Sequence, residues 1–349
     1  MILKNKIKDV FENLLKTYKE CNSIILCFSF SNEEGKTASF LGGVRIINSY
    51  IVLSVINISQ KELRSFSEII KKYGIKFVFV DVEKKLPFEI TLDNENKNKN
   101  IEYSNIYAEA TEILPFAEIV PWSSTELTSS SILNLLRQEL GNNLSGNEIT
   151  IIGLGAIGFQ LSLCLIREGV KVNCFTKNYN RGLIKANSIN TIRSEFTLAS
   201  FNLFKNLRTA ILSSSIVVEC SSSVNTIDKN YINDFQLHRL IIDVGKQAFT
   251  SDFIKDIAKQ NIPFKRLDIS NTLSDLIYRK LHPSNLNFKK PSKSNFKSKF
   301  NLVSGGWKGL PGDVVVDDAY YPRFVIGTIN SSFNINPIYV AFDEWIKTN

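Results

Sequence analysis

Histidine is nearly absent from this chain: 349 residues hold only His238 and His282, and the five cysteines form no Cys-x-x-Cys pair. Closely spaced His and Cys ligands are what zinc and haem sites need, so no metal is expected. A Ser-His-Asp triad has equally little to draw on, and both histidines are read as surface or packing residues. Cys27, Cys164, Cys174 and Cys220 lie inside apolar runs. Scattered thiols of that kind point to reduced, buried cysteines in a cytoplasmic protein rather than to disulfides. No apolar run approaches the roughly 18 residues of a membrane span. Leu3, Ile7, Val10, Phe11, Leu14, Leu15 and Tyr18 recur at helical spacing between Lys and Glu. That pattern predicts an amphipathic core helix rather than a signal peptide.

Acidic residues are missing altogether between Asp275 and Asp313. Arg279, Lys280, Lys289, Lys290, Lys293, Lys297, Lys299 and Lys308 fall in that interval, which equals the net charge of +8 for the whole chain. Ser, Asn and Pro surround the lysines, so the stretch reads as a solvated loop. Attraction of an anionic ligand is the second reading. Nucleic acid, suggested by the interleaved Phe288, Phe296 and Phe300, is the least favoured and is not an expected partner.

What is present is a glycine turn. Ile149 to Ile152 is a short apolar run that breaks at Gly153, and Phe159, Leu161, Leu163, Leu165 and Ile166 follow in an amphipathic segment. Gly153, Gly155 and Gly158 then stand where a strand-to-helix dinucleotide turn needs them. The first permits the tight turn, the second lets backbone approach a pyrophosphate, and the third lets helix pack on strand. Ala156 and Ile157 supply N–H groups at the helix start.

Length suggests two domains and a tail. Residues 1–124 alternate strands (23–30, 39–47, 50–56, 75–82) with a helix over 61–73 ended by Gly74, a small N-terminal α/β domain expected to carry substrate and catalytic groups. Residues 125–282 open with a Ser- and Thr-rich run, Ser123 to Ser131, that offers an N-cap for a helix through Ile132, Leu135, Leu136 and Leu140, stopped by Gly141. Strands follow over 149–153, 170–176, 215–220, 239–244 and 264–269. Helices are predicted over 156–168, near 181–188, and over 200–213, 229–235, 251–260 and 271–281. Apolar strands alternating with helices imply a doubly wound parallel sheet, a Rossmann domain. Residues 283–349 hold the basic loop, a glycine-rich tract over 305–312, a strand over 314–316 and a helix over 338–347. These elements are too few for a core, so the tail is expected to pack back on the N-terminal domain.

An NAD site commonly ends its second strand with a carboxylate that binds the ribose hydroxyls. Here Thr176, Lys177, Asn178, Tyr179, Asn180 and Arg181 occupy that stretch without one. A hydroxyl with Lys177 and Arg181 suits a 2′-phosphate, so NADP is preferred to NAD. The missing acid also counts against an ATP-dependent adenylating enzyme.

Thr176 to Arg181 resembles the Asn-Arg-Thr-x-x-Arg stretch that closes the second strand of shikimate dehydrogenases. Val217-Val218-Glu219-Cys220-Ser221-Ser222 is similar to their Asn-Ala-Thr strand end, which lies near the nicotinamide. Leu240 to Gly245 resembles the next strand there, and also in methylene-tetrahydrofolate dehydrogenases and glutamyl-tRNA reductases. The helix over Thr128 to Leu136 is similar to the one joining the two domains of that group. The resemblance covers about 125–270. It implies NAD(P)-dependent redox chemistry, with Cys220, Ser221, Ser222, Val244 and Gly245 at the nicotinamide end. The Asn-Val-Thr-x-Pro-x-Lys motif of shikimate dehydrogenases is missing, so their substrate is not implied.

Hydride transfer further needs a proton donor or acceptor beside the reacting carbon. Asp81 and Lys36 of the first domain are the candidate catalytic residues, with Lys308 and Tyr320 of the tail behind them. Lys246 is a candidate for a substrate carboxylate. The expected protein is an NAD(P)-dependent oxidoreductase acting on a small polar, anionic metabolite; homodimer formation is left open. The alternatives are a non-catalytic dinucleotide-binding regulator and the adenylating enzyme.

Overall fold

The computed structural model describes residues 9–10, 12–13, 23–29, 39–83, 85–88, 102–245, 247–282 and 292–349. Most of the expected N-terminal helix, Lys36 and Lys246 lie outside them. The chain forms two compact units, Met1–Ile277 and Tyr278–Asn349.

Among the described residues the first unit holds two large sheets and one two-stranded sheet. In the N-terminal lobe, β1 (Ser23–Ser29), β2 (Phe40–Ile47), β3 (Tyr50–Ile56), β4 (Phe77–Asp81) and β7 (Glu118–Trp122) pair in the order β2-β3-β1-β4-β7. Only β2 runs antiparallel, joined to β3 by a tight turn in which Asn48 takes φ 53°. Asparagine is among the few residues that tolerate that left-handed backbone. Helix α1 (Gln60–Lys72) starts with a capping box, Ser59 and Glu62 each satisfying the other's backbone N–H. A small antiparallel pair, β5 (Lys85–Phe88) with β6 (Glu102–Asn105), and helix α2 (Ile106–Ile113) complete the lobe.

Helix α3 (Ser124–Leu140) links the lobes, capped by Ser123 and closed by Gly141 at φ 98°. The second lobe runs β8 (Glu148–Ile152), α4 (Ala156–Arg167), β9 (Lys171–Phe175), α5 (Tyr179–Ile192), β10 (Phe201–Phe204), α6 (Leu207–Leu212) and β11 (Ile216–Glu219). A 3-10 turn (Lys229–Phe235), β12 (Leu240–Asp243), α7 (Ser251–Lys259), β13 (Phe264–Arg266) and α8 (Ser270–Leu281) follow. All six strands are parallel and ordered β10-β9-β8-β11-β12-β13. Counted from β8 this is 3-2-1-4-5-6, the doubly wound Rossmann order. One face is covered by α3, α4 and α5 through Ile132, Leu136, Leu161 and Ile189. The other is covered by α6, the 3-10 turn and α7 through Ile211, Phe235 and Phe253.

Three expectations are corrected. Residues 200–213 are not one helix. Phe201 to Phe204 pair in register with Val172 to Phe175 as the third strand, and the Asn206 side chain then caps α6 by accepting from the Arg208 and Thr209 N–H groups. The helix expected over 338–347 is a strand as far as Ala341 and turns helical only at Phe342.

The second unit, third, has enough elements for its own core. Strands β14 (Ser292–Phe296), β15 (Phe300–Ser304), β16 (Val314–Val316), β17 (Phe324–Ile329) and β18 (Ile335–Ala341) form a sheet in chain order, and α9 (Phe342–Thr348) closes it. Leu302, Val314, Val316, Val325, Phe342 and Trp345 are buried together. The part of the basic segment from Ser292 onward is therefore a β-hairpin, turning at Lys297 and Ser298 with φ 50° and 57°. Residues 283–291 lie outside the described part.

Candidate functional site

Strand β8 ends at Ile152, and the three glycines that follow are held in three different ways. Gly153 has φ 97°, and a Cβ there would lie 2.7 Å from both N and Cα of Ser221. Its N–H donates to Phe175 O at 2.8 Å, which locks the turn to the end of β9. Gly158 is buried, and a Cβ would stand 2.0 Å from Gly153 O. Gly155 is exposed, and a Cβ on it would meet nothing within 4 Å. The first and third glycines thus bring α4 onto the turn, and the second borders open space. No side chain caps α4 and its first turn carries no acid. The N–H groups at Ala156 and Ile157 form the positive end of a helix dipole beside that space.

At the end of β9, Thr176 is pressed under α5: a Cβ on Gly182 would lie 2.4 Å from its Cγ2. Asn178 caps α5 by accepting from the Arg181 N–H at 3.0 Å. Lys177 and Arg181 are both exposed.

The tips of β11 and β12 form the third side. The Cys220 N–H donates to Ile152 O at 2.8 Å, which fixes Ser221 against Gly153. The Val244 N–H donates to Glu219 O at 2.9 Å, and Gly245 packs so closely that a Cβ would lie 2.2 Å from Ser221 O. Gly153, Ser221 and Gly245 therefore meet; Ser222 is exposed next to them. Glu219 itself is fully buried. Its Oε1 accepts from the Ser221 N–H at 2.7 Å, and Oε2 has no partner among the described residues. Burial pushes its carboxyl up to about 7, against the Ser221 hydrogen bonds and with help from the Asp243 charge.

Sequence reasoning put Glu219 in the strand end without giving it a role. A carboxylate that directly follows Ile216-Val217-Val218 was the available signal. It also passed over Lys185, whose Nζ donates to Leu154 O at 2.6 Å inside the glycine turn.

The catalytic candidates are placed differently. Asp81 is fully buried at the end of β4; Ser29 Oγ donates to its Oδ2 at 2.9 Å and the Glu83 N–H to Oδ1 at 3.2 Å. Lys36 lies outside the described residues. Lys308 and Tyr320 belong to the second unit, both exposed. His238 is a packing residue: it is buried, its ring 4.8 Å from that of Phe235, with Nε2 at 3.1 Å from Ile211 O. Cys27, Cys164, Cys174 and Cys220 are free, and burial pushes the Cys27 and Cys174 thiols to about 12.

No protein-family model matches this chain, and no curated protein matches it either. Solved structures similar to it include L-tryptophan dehydrogenase from Nostoc punctiforme (10% identity, 79% of this chain and 85% of that one, TM-score 0.44). Shikimate 5-dehydrogenase from Listeria monocytogenes, in complex with shikimate and NAD, is similar at 14% identity over 74% of this chain and 92% of that one, TM-score 0.41. Shikimate dehydrogenase from Aquifex aeolicus is similar at 13% identity over 76% and 91%, TM-score 0.40. Each is a dehydrogenase by name, and the likeness is one of fold.

Proposed function

We propose that this protein is an NAD(P)-dependent oxidoreductase, with NADP preferred, acting on a small polar, anionic metabolite. One observation carries the reading. The glycine turn sits at the switch point of a 3-2-1-4-5-6 sheet, closed by packing at Gly153 and Gly158 and open at Gly155. A nicotinamide dinucleotide fits that cradle and would supply the hydride chemistry when bound. The α4 N–H groups at Ala156 and Ile157 hold the pyrophosphate. Thr176, Lys177 and Arg181 hold the ribose end. Cys220, Ser221, Ser222, Val244 and Gly245 line the nicotinamide end. The accompanying proton is assigned to the first lobe, where Asp81 and Lys36 are the groups put forward. The free cysteines support a reducing, cytoplasmic setting.

Fluorescence titration with NADPH and NADH tests this directly, followed by NADPH oxidation across a panel of oxo acids and other small carbonyl anions. Binding of neither dinucleotide would overturn the reading. A second reading, a dinucleotide sensor without turnover, is favoured by one observation: both Asp81 oxygens are already engaged. Tight NADPH binding with no oxidation across the panel would select it.

A further inference from the structure

Two cations share one face of α5, a helix that has no acidic residue of its own. Arg181 and Lys185 are one helical turn apart, so their side chains are neighbours. Neither forms an ion pair among the described residues, and the first turn of α5 carries no acid. Lys185 is not a free surface lysine. It is half-buried, its Nζ lies 6.0 Å from the centre of the Phe159 ring, and it donates to the carbonyl of Leu154, between Gly153 and Gly155. Burial, then the Arg181 charge, lowers the proton affinity of its amine. An ammonium has three N–H donors, and Leu154 O is the single acceptor recorded for them among the described residues.

We propose that Lys185 is the residue that selects a 2′-phosphorylated dinucleotide, its ammonium forming with Arg181 a two-cation seat for the 2′-phosphate. This rests on the dinucleotide reading above. The Leu154 carbonyl anchors the Lys185 ammonium at the glycine turn, where the adenosine ribose of a bound dinucleotide would pass. Two adjacent cations repel each other in the absence of an anion. A phosphate dianion relieves that repulsion, and a ribose hydroxyl does not. The guanidinium supplies a planar fork and the ammonium a compact point charge from the turn side. Discrimination then comes from the anion that the pair lacks, whereas the α4 N–H groups treat both cofactors alike.

The test is affinity of the full-length protein for NADPH and NADH, with Lys185→Met, Lys185→Gln and a surface control, Lys259→Met on α7. Met keeps most of the length and removes the charge together with the N–H donors. Gln keeps a donor for Leu154 O and guards against a variant that misfolds. The wild type is expected to bind NADPH more tightly than NADH. Both Lys185 variants should weaken NADPH by about tenfold or more, with NADH within about twofold, because only NADPH carries the 2′-phosphate that the lost charge would meet. Lys259→Met should change neither. Equal losses for both cofactors would overturn the proposal, making Lys185 only a prop for the glycine turn. Unchanged affinities would also overturn it. A wild type that binds NADH as well as NADPH sinks this inference and leaves the dinucleotide reading standing; a wild type that binds neither sinks both.

Discussion

Glu219 stands opposite Asp243 in the parallel register of β11 and β12, with both residues buried at the strand ends. Removal from water disfavours the ionised form of Glu219, and the Asp243 charge adds to that. The folded protein therefore holds the Glu219 proton up to about 7, from a usual value of 4.5. The folded pKa is the higher one, so the folded state binds the proton more tightly than the unfolded chain. The stability tied to this proton is complete below about 4.5 and is lost as pH rises through about 7. That shift corresponds to a loss on the order of 3 kcal/mol. Urea unfolding at pH 5 and pH 8 should show it, and Glu219→Gln should flatten the difference. The same pH slope in wild type and variant would remove Glu219 as its source.

The glycine turn separates stability from binding. Gly155 has open space around it, so Gly155→Ala should cost at most about 1 kcal/mol, the difference between these residues as helix caps. Its new methyl group would stand where backbone must approach a pyrophosphate, and NADPH affinity should fall about tenfold or more. Gly158→Ala is the reverse case. Its Cβ would meet Gly153 O at 2.0 Å, and main chain has to move. The expected loss is about 1–3 kcal/mol, seen as a lower unfolding midpoint. Wild-type NADPH affinity in Gly155→Ala would argue that the turn cradles nothing.

The strand-to-helix turn was legible because its physics is local. Ile149 to Ile152 is a buried strand with apolar side chains on both faces, and three glycines at fixed offsets follow. Strands β9, β11 and β12 were legible for the same reason. Strand β10 was not, because Phe201, Phe204 and the apolar residues of α6 continue one another at near-helical spacing. The divider is Asn206, a helix cap, which was the signal to read. Strand β18 was missed because it lies at the edge of its sheet and most of it is exposed, so no buried stripe marks it. Glu219 and Lys185 look in sequence like an ordinary strand end and an ordinary helix lysine. Their burial and partners come from distant parts of the chain, Asp243 on the next strand and Leu154 in the glycine turn.

Asp81 offers a test that separates a structural role from a chemical one. Asn at this position still accepts from the Glu83 N–H and can donate to Ser29 Oγ. Ala leaves both donors without their acceptor. Asp81→Ala should cost about 1–3 kcal/mol, and Asp81→Asn much less. In a cycle with Ser29→Ala the two losses should fail to add by at least about 0.5 kcal/mol, since Ser29 and Asp81 share a hydrogen bond. If Asp81 handles the proton in turnover, Asp81→Asn should lose about a hundredfold in rate while keeping its fold. A fully active, stable Asp81→Asn would move the proton step to another side chain.

The second unit stands on a small aromatic cluster. Trp345 of α9 meets Phe300 of β15 edge-on at 4.8 Å, and Phe342 lies 6.4 Å away on the same helix. Phe296 meets Phe342 edge-on at 5.1 Å, which ties α9 to β14. Few other large side chains fill this core, so Trp345→Ala leaves a cavity that the remaining Leu302, Val314 and Val325 are too far committed to the sheet to close. A loss of about 3–5 kcal/mol is expected. Hydrogen exchange should show it as faster exchange in β15, β16 and β17. Amides of β8, β11 and β12 belong to a separate core and should keep their protection. Unchanged exchange in β15 to β17 would mean that α9 adds little to the sheet it covers.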